Sequence, residues 1–175
     1  VLNSSDSLDE KLLLNRKVST SLPFQHYTRL ELLNAMLVKS DNAAAETLSE
    51  NYAGGRDAFL TAMNQHAVSL NMPNTHFDDP TGLSRGNVST PAEVGLMLMA
   101  ANAYPLIKSL STQTQTKIDT SRKRKVDLFN TNHTVLTKFK DIALSKTGFT
   151  NPAGFCLGLV VNLSLIHISE PTRLL

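Results

Sequence analysis

Apolar residues recur at helical spacing over the first hundred residues of the chain. One amphipathic helix is predicted to begin near Thr28, with a buried face formed by Leu30, Leu33 and Leu37. A second helix is predicted from Asn42 to about Tyr52, because this stretch is rich in alanine, and Gly54-Gly55 is expected to end it. A third helix is expected after the glycines, with an apolar face formed by Phe59, Leu60, Met63, Ala67 and Leu70.

A turn-rich stretch and a well-marked helix start follow. Prolines, glycines and asparagines are frequent between residues 72 and 87, which predicts a loop. Thr90 is a favourable N-cap, Pro91 suits the first helical position, and Glu93 completes a capping box. A fourth helix is therefore predicted to begin here, and Tyr104-Pro105 is expected to end it.

The apolar period shortens from Lys125 onward. Residues 141–147 and 155–162 are each predicted to form a strand, with residues 148–154 as the turn between them. Residues 8–14 fit a strand or a short helix equally well. Because helices come first and strands later, the pattern predicts an α+β fold rather than alternating βαβ units.

Composition and charge exclude several other classes of protein. Apolar residues make up 41% of the 175-residue chain and charged residues 18%, which suits a globular core. A net charge of +2 gives no indication of a nucleic-acid or membrane-surface partner. No apolar run approaches the ~18 residues that span a bilayer, so no transmembrane segment is expected. The lone cysteine, Cys156, lies in an apolar run and is predicted to be a small buried side chain.

The two ends of the chain do not fit the pattern of the rest. Leu163 to Arg173 resembles the translation of a transposase adapter used in preparing sequencing libraries. We therefore expect residues 1–162 to form the domain and residues 163–175 to be a non-native tail. The chain begins at Val1 without the features of a signal peptide, and we interpret this start as a cut within a longer protein.

Two tripeptides carry the candidate chemistry. Ser40-Asp41-Asn42 lies at the junction of two predicted helices, and Lys146-Thr147-Gly148 lies at the end of a predicted strand. Alone, the first is typical of a helix cap and the second of a strand before a turn. Together, in this order, they match two of the three motifs of serine β-lactamases and penicillin-binding proteins, of which the third is S-x-x-K.

The residue types suit acyl transfer from an amide to a serine and then to water. Ser40 can relay a proton to the leaving amine, and Asn42 can hold a base lysine or a substrate amide. Lys146 can lower the pKa of a base lysine and bind a substrate carboxylate.

The rest of the strand offers positions for the substrate. Thr147 can donate its hydroxyl to the terminal carboxylate of the substrate. Gly148 leaves room for substrate backbone along the strand edge. The N–H of Phe149 can serve as one oxyanion donor.

The chain resembles the low-molecular-mass penicillin-binding D-alanyl-D-alanine peptidases, and most closely their endopeptidase type, penicillin-binding protein seven. The likeness extends from Leu8 to Val161 and includes longer shared segments around the motifs, which begin at Tyr52, Asn64, Asn74, Asn87, Tyr104, Asn130 and Lys146. It implies part of a β-lactamase/transpeptidase-like fold, with helices beside part of an antiparallel sheet.

The resemblance also implies function and site residues. Ser40, Asn42 and Lys146 would be catalytic, and Thr147, Gly148 and Phe149 would bind substrate. The expected partners are peptidoglycan stem peptides and β-lactam antibiotics, and the expected location is the periplasm. No cofactor and no metal are expected, because Asp78-Asp79 has no further ligand at suitable spacing and fits a turn.

The chain departs from the family pattern at its nucleophile. No serine of the sequence has a lysine three positions later, so nucleophile and general base are expected to be missing. We predict that the polypeptide as written is inactive. Two other functions stay open: a serine β-lactamase, and a non-catalytic module that binds peptidoglycan peptides. The residues do not distinguish an endopeptidase from a carboxypeptidase.

Overall fold

A computed structural model describes residues 7–120 and 124–162. Within these residues the helices are α1 (Arg29–Lys39), α2 (Asn42–Glu50), α3 (Gly55–Ser69), α4 (Pro91–Asn102), α5 (Pro105–Ser111) and α6 (His133–Lys138). The strands are β1 (Lys11–Leu13), β2 (His26–Thr28), β3 (Gln115–Asp119), β4 (Lys125–Phe129), β5 (Ile142–Thr150) and β6 (Gly154–Val161). The expected α+β class is therefore confirmed, and residues 8–14 contribute a strand.

The described strands form three antiparallel pairs, β1 with β2, β3 with β4 and β5 with β6. The third pair matters most for the site, and its register places Lys146 opposite Gly158 and Gly148 opposite Cys156. Strand β5 continues through Thr150, so Gly148 lies within a strand and not in the predicted turn. Gly154 has a φ of 70° and begins β6 just after the shorter turn that results.

The best-packed part of the molecule lies where α1 and α2 meet the first strand pair. Thr28 and Glu31 cap α1 reciprocally, because the Thr28 hydroxyl accepts from the Glu31 amide at 3.1 Å and Glu31 accepts from the Thr28 amide at 2.7 Å. The fully buried side chains of α1 are Arg29, Leu32, Ala35 and Val38. The predicted face was wrong by one position, because Leu30, Leu33 and Leu37 are only half-buried. Apolar residues of this helix occur at helical spacing on two neighbouring faces, and only packing decides which face is buried.

The glycine pair begins a helix instead of ending one. Helix α2 ends at Glu50, and Gly54 occupies the N-cap of α3 with a left-handed φ of 88°. A Cβ at Gly54 would lie 2.8 Å from the Cβ of Ala58, so both the backbone conformation and the close approach exclude other residues.

The start of α4 is at the predicted residue, but only half of the predicted capping box forms, because the Glu93 carboxylate accepts from Asn74 and Thr75 and not from the Thr90 amide. The next helix was missed. The Thr90 hydroxyl accepts from the Glu93 amide at 3.3 Å, and Pro91 occupies the first turn. Tyr104-Pro105 does end α4, but Pro105 also opens α5, since proline is compatible with the first turn of a helix. Helix α6 and the β3–β4 pair were likewise not predicted.

The prediction that Cys156 is buried was wrong, because its thiol is exposed. The residues around it at the start of β6 are exposed on both faces, because this end of the hairpin extends beyond the packed elements. The proposed tail, residues 163–175, lies outside the described residues. Among the residues that are described, no helix has the length and apolarity needed to cross a bilayer.

Candidate active site

The serine of the first motif lies between two helices in an unusual conformation. Ser40 is the C-cap of α1 and has a left-handed backbone with φ 56° and ψ 41°. The amide of Asp41 donates to the carbonyl of Ala35 at 3.1 Å, which closes the last turn. A left-handed non-glycine residue costs about 1–2 kcal/mol, so the surrounding contacts must hold Ser40 there.

Asp41 supplies those contacts with a buried carboxylate. Its Oδ1 accepts from the Ala44 amide at 3.0 Å and so caps α2. Its Oδ2 accepts from the Thr20 hydroxyl at 2.7 Å and from the Ser21 amide at 3.1 Å. The middle residue of the motif therefore fixes the helix junction, while its two neighbours turn towards open space.

Strand β5 brings the second motif to the serine. The ammonium of Lys146 contacts the Ser40 hydroxyl directly and donates to the carbonyl of Thr147 at 2.7 Å. The Ser40 hydroxyl also donates to that carbonyl, at 3.4 Å. Residues 106 positions apart in sequence thus share one hydrogen-bonded group, which is the juxtaposition expected from the two motifs.

Burial changes the acid strength of this lysine. Desolvation lowers the pKa of Lys146 from 10.5 to about 8. At neutral pH the side chain is still mainly an ammonium, which suits it to an anionic ligand. A charge that is poorly solvated by water gains more from such a ligand than an exposed lysine does.

The pair lies in a cleft of about 440 Å³. The β5–β6 hairpin lines one part of it, including Phe149, Thr150 and Cys156, the α1–α2 junction lines another, and the loop 80–83 forms a further wall. A larger groove of about 620 Å³ lies between α1, α3, α4 and α5, but mostly apolar side chains line it. We place the site in the smaller cleft, because that is where the hydroxyl and ammonium groups converge.

The other expected site residues also line this cleft. Asn42 makes no side-chain hydrogen bond to any described residue, so its amide is available to a ligand. Gly148 has an ordinary φ, and a Cβ there would touch only the Cβ of Cys156, at 4.0 Å. The protein itself therefore does not require glycine at this position. Phe149 packs its ring against Phe155 with centroids 4.6 Å apart.

A residue that the sequence did not single out touches the second motif. The hydroxyls of Thr131 and Thr147 are in hydrogen-bond contact, and the Thr131 amide donates to the carbonyl of Val38 at 3.1 Å. Buried Asn130 and half-buried Asn132 fix the turn on either side of it. Thr131 belongs to a segment that contributes to the family resemblance, but no local pattern gave it a role.

The turn role expected for Asp78-Asp79 fits the hydrogen bonds of the loop. Asp79 Oδ1 accepts from the Gly82 amide and from the Asn87 side chain, each at 2.6 Å. Burial alone would raise the pKa of Asp79, but hydrogen bonds from Asn87, Gly82, Thr81 and Ser84 outweigh it and hold this pKa below its usual range. No cluster of metal-ligating side chains is present among residues 7–120 and 124–162.

An α+β protein in which a helix-junction serine faces a strand lysine followed by Thr-Gly has the layout of the penicillin-recognising serine acyltransferases. The sequence model for the D-alanyl-D-alanine carboxypeptidase family matches residues 6–162, and the chain belongs to this family.

Individual relatives agree with the family. The chain is 43% identical over 162 residues to a D-alanyl-D-alanine endopeptidase of Pseudomonas aeruginosa, covering 84% of this chain and 52% of the relative. It is 40% identical over 166 residues to the D-alanyl-D-alanine endopeptidase of Escherichia coli, covering 90% of this chain and 54% of the relative. The chain thus spans about half the length of the curated relatives it matches.

Solved structures confirm the fold. A Streptomyces DD-transpeptidase superimposes with a TM-score of 0.83 over 92% of this chain and 70% of that one, at 23% identity. A penicillin-binding protein of Listeria monocytogenes in its ampicillin-bound form gives 0.77 over 90% of this chain and 65% of that one, at 30% identity.

Proposed function

We propose that this chain is part of a serine-type D-alanyl-D-alanine endopeptidase that cleaves peptidoglycan stem peptides through an acyl-enzyme and is inhibited by β-lactams. The observation that carries the proposal is the contact of Lys146 with Ser40 across the cleft, beside Thr147. The expected location of the complete protein is the periplasm, since its substrate lies there.

The roles follow from the geometry of the cleft. Lys146 and Thr147 receive the terminal carboxylate of the peptide, because a partly desolvated ammonium and a hydroxyl lie side by side on β5. Ser40 passes a proton to the leaving amine, with its hydroxyl held by the lysine. Asn42 binds the substrate amide with its available side chain. Gly148 admits the substrate backbone, and the Phe149 amide stabilises the oxyanion.

The endopeptidase type is favoured over the carboxypeptidase type by the relatives. Those at 39–43% identity carry the name endopeptidase, and those at 28% carry the name carboxypeptidase. Production of the complete coding sequence and assay on a cross-linked peptide dimer and on a pentapeptide tests this point. We expect cleavage of the dimer to dominate.

The β-lactamase alternative receives no support from the cleft. Class A β-lactamases need a carboxylate that orients the hydrolytic water. Asp79 is next to the cleft wall, but its two oxygens accept hydrogen bonds from its own loop. A non-catalytic module keeps the same carboxylate site, and it would lack an S-x-x-K motif in its complete coding sequence, whereas the enzyme would have one.

Two measurements on the chain itself test the site. No serine is followed three positions later by lysine, so we expect no mass increase after incubation with ampicillin. We also expect the chain to bind diacetyl-L-lysyl-D-alanyl-D-alanine at least roughly tenfold more tightly than its C-terminal amide. Equal affinities for acid and amide would remove the proposed carboxylate site.

A further inference from the structure

One wall of the cleft is made of loop, not of regular structure. Residues 80–83 form it, and they belong to a stretch between α3 and α4 that contains no helix and no strand apart from one bridge between His76 and Val88. Leu83, the large apolar side chain of this wall, is 51% exposed, so apolar burial contributes little to holding the wall. Its conformation must therefore come from hydrogen bonds.

Those hydrogen bonds converge on one carboxylate. Asp79 Oδ1 accepts from the amides of Thr81 at 3.1 Å and Gly82 at 2.6 Å. Asp79 Oδ2 accepts from the Thr81 hydroxyl at 2.9 Å and from the Ser84 amide at 3.0 Å. Two backbone amides of the wall, together with the amide of Ser84 that follows it, are thus held by Asp79 and are already hydrogen-bonded within the loop.

The base of the loop is fixed by two further side chains, and one of them, Asn87, also donates to Asp79 Oδ1 at 2.6 Å. The Asn87 side-chain oxygen accepts hydrogen bonds from the amides of Asp78 at 2.6 Å and Asp79 at 3.1 Å. The Asn64 side chain on α3 accepts from the Phe77 amide at 2.9 Å and donates to the Phe77 carbonyl at 2.8 Å. Loss of the Asp79 carboxylate would therefore release the tip of the loop while its base stays attached.

We propose that Asp79 is a positioning residue for ligand binding, whose carboxylate holds residues 80–83 as a wall of the cleft. The proposal rests on the proposed function, because it assumes that the D-alanyl peptide lies in this cleft. Asp79 acts on the affinity for the body of the peptide and leaves recognition of the terminal carboxylate to Lys146 and Thr147.

Asp79→Asn is the direct test. An amide at this position offers one acceptor oxygen and places an N–H₂ among donors, so the hydrogen bonds on one side are lost. We expect amide hydrogen exchange at Thr81, Gly82 and Ser84 to become faster without ligand. In NMR titrations of the full chain, the dissociation constants of both diacetyl-L-lysyl-D-alanyl-D-alanine and its C-terminal amide should rise roughly 3- to 10-fold.

The ratio of the two dissociation constants separates positioning from general damage. The ratio of amide to acid should stay at its wild-type value in Asp79→Asn, whereas Thr147→Val should reduce it. Gly82→Ala gives a second route to the same wall. Its φ of 84° strains any other residue although a Cβ there has open space, so we expect the same loss for both peptides. Asp57→Asn, on the exposed first turn of α3, is the matched control and should change neither constant.

The outcomes distinguish this inference from the proposed function. Wild-type chain that binds acid and amide equally contradicts the proposed carboxylate site, whatever Asp79 does. If the wild type prefers the acid but Asp79→Asn binds both peptides as tightly as the wild type, the role of Asp79 alone is overturned. Unchanged amide hydrogen exchange in Asp79→Asn has the same consequence. A fall of the amide-to-acid ratio towards one in Asp79→Asn also overturns it, because the variant would then have disturbed Ser40 and Lys146.

Discussion

The region around α1 and α2 and the region around α3 and α4 are built on different physical principles. In the first, Tyr27, Leu32 and Ala35 have no exposed surface and belong to one apolar cluster. In the second, Ala67 is the one fully buried residue described in α3 and Glu93 the one in α4, while Val68 and Met99 are 74% and 63% exposed.

The candidate site draws on both regions, because Ser40 lies at the α1–α2 junction and the loop 80–83 lies between α3 and α4. Ser40 lies between two helices that contribute to the apolar cluster, next to the buried carboxylate of Asp41, whereas the loop 80–83 is held by Asp79 through hydrogen bonds at a partly exposed site. Apolar burial gives a position that is lost only when the domain unfolds, whereas a hydrogen-bonded loop can open locally. The comparison therefore predicts global effects on the first side and local effects on the second.

The largest expected difference is in the core. Leu32→Ala should lower the free energy of unfolding by about 2–5 kcal/mol, because it leaves a cavity in a fully buried cluster. Leu37→Ala, one face away on the same helix, should cost about 1 kcal/mol, since Leu37 lines the open groove. Urea denaturation followed by circular dichroism measures both. Equal costs would contradict the distinction between the two faces.

The second-largest difference is expected between the carboxylates of Asp41 and Asp79, whose removal should affect stability on different scales. Asp41→Ala removes the buried N-cap of α2 and the acceptor of the Thr20 hydroxyl and the Ser21 amide, so we expect a loss of about 1–2 kcal/mol in global stability. Asp79→Ala should cost less globally and mainly speed amide exchange in its own loop. A larger drop in melting temperature for Asp79→Ala than for Asp41→Ala would reverse the assignment of the two regions.

The desolvated lysine gives a pH-dependent effect of intermediate size. Lys146 has a pKa of about 8 when folded and 10.5 as its reference, so the unfolded state binds more protons between these values and wild-type stability should rise with pH there. Below pH 8 the buried charge opposes folding. Lys146→Met should therefore stabilise the chain by roughly 1–2 kcal/mol at pH 7.

The quantity to measure is the difference in stability between the wild type and Lys146→Met. Thermal melts at intervals from pH 7 to pH 10 should show the gap closing as the wild-type lysine loses its proton. A gap that is constant with pH would show that the folded lysine titrates normally. The same variant should lose the preference for a peptide acid over its amide.

Thr131 should give the smallest effect. Thr131→Val removes the hydroxyl that contacts Thr147, and because Thr131 is exposed we expect no measurable change in stability. Affinity for the peptide acid should fall roughly 3- to 10-fold, since one hydrogen bond that orients the Thr147 hydroxyl is lost. Thr131→Ser keeps the hydroxyl and should bind as the wild type does. Identical binding by the valine and serine variants would count against a role for Thr131.

Features encoded within a few neighbouring residues were predictable. The Thr90 cap of α4, the strands β5 and β6 and the helix junction at Ser40 each depend on local hydrogen bonds or local alternation, and the structure has each of them, although Glu93 does not complete the capping box. The α+β class and the family are confirmed as well. Gly54-Gly55 was misread, because the same left-handed glycine that can end one helix can also begin the next.

The remaining features depend on residues far apart in the chain. The buried face of α1, the exposure of Cys156 and the contact between Thr131 and Thr147 are set by which elements pack together, and the spacing of apolar residues on one element contains no such information. The role of Asp79 likewise requires the fold of its loop.

The sequence alone predicted that a serine at a helix junction and a lysine on a strand lie together, because the two motifs occur in order and each lies on its expected element. Only the tertiary structure decided how the pair is enclosed, with one wall from a hairpin and another from a loop folded on a carboxylate. The physical reason is that hydrogen bonds and burial act over a few ångströms in space, whatever the separation of the residues in sequence.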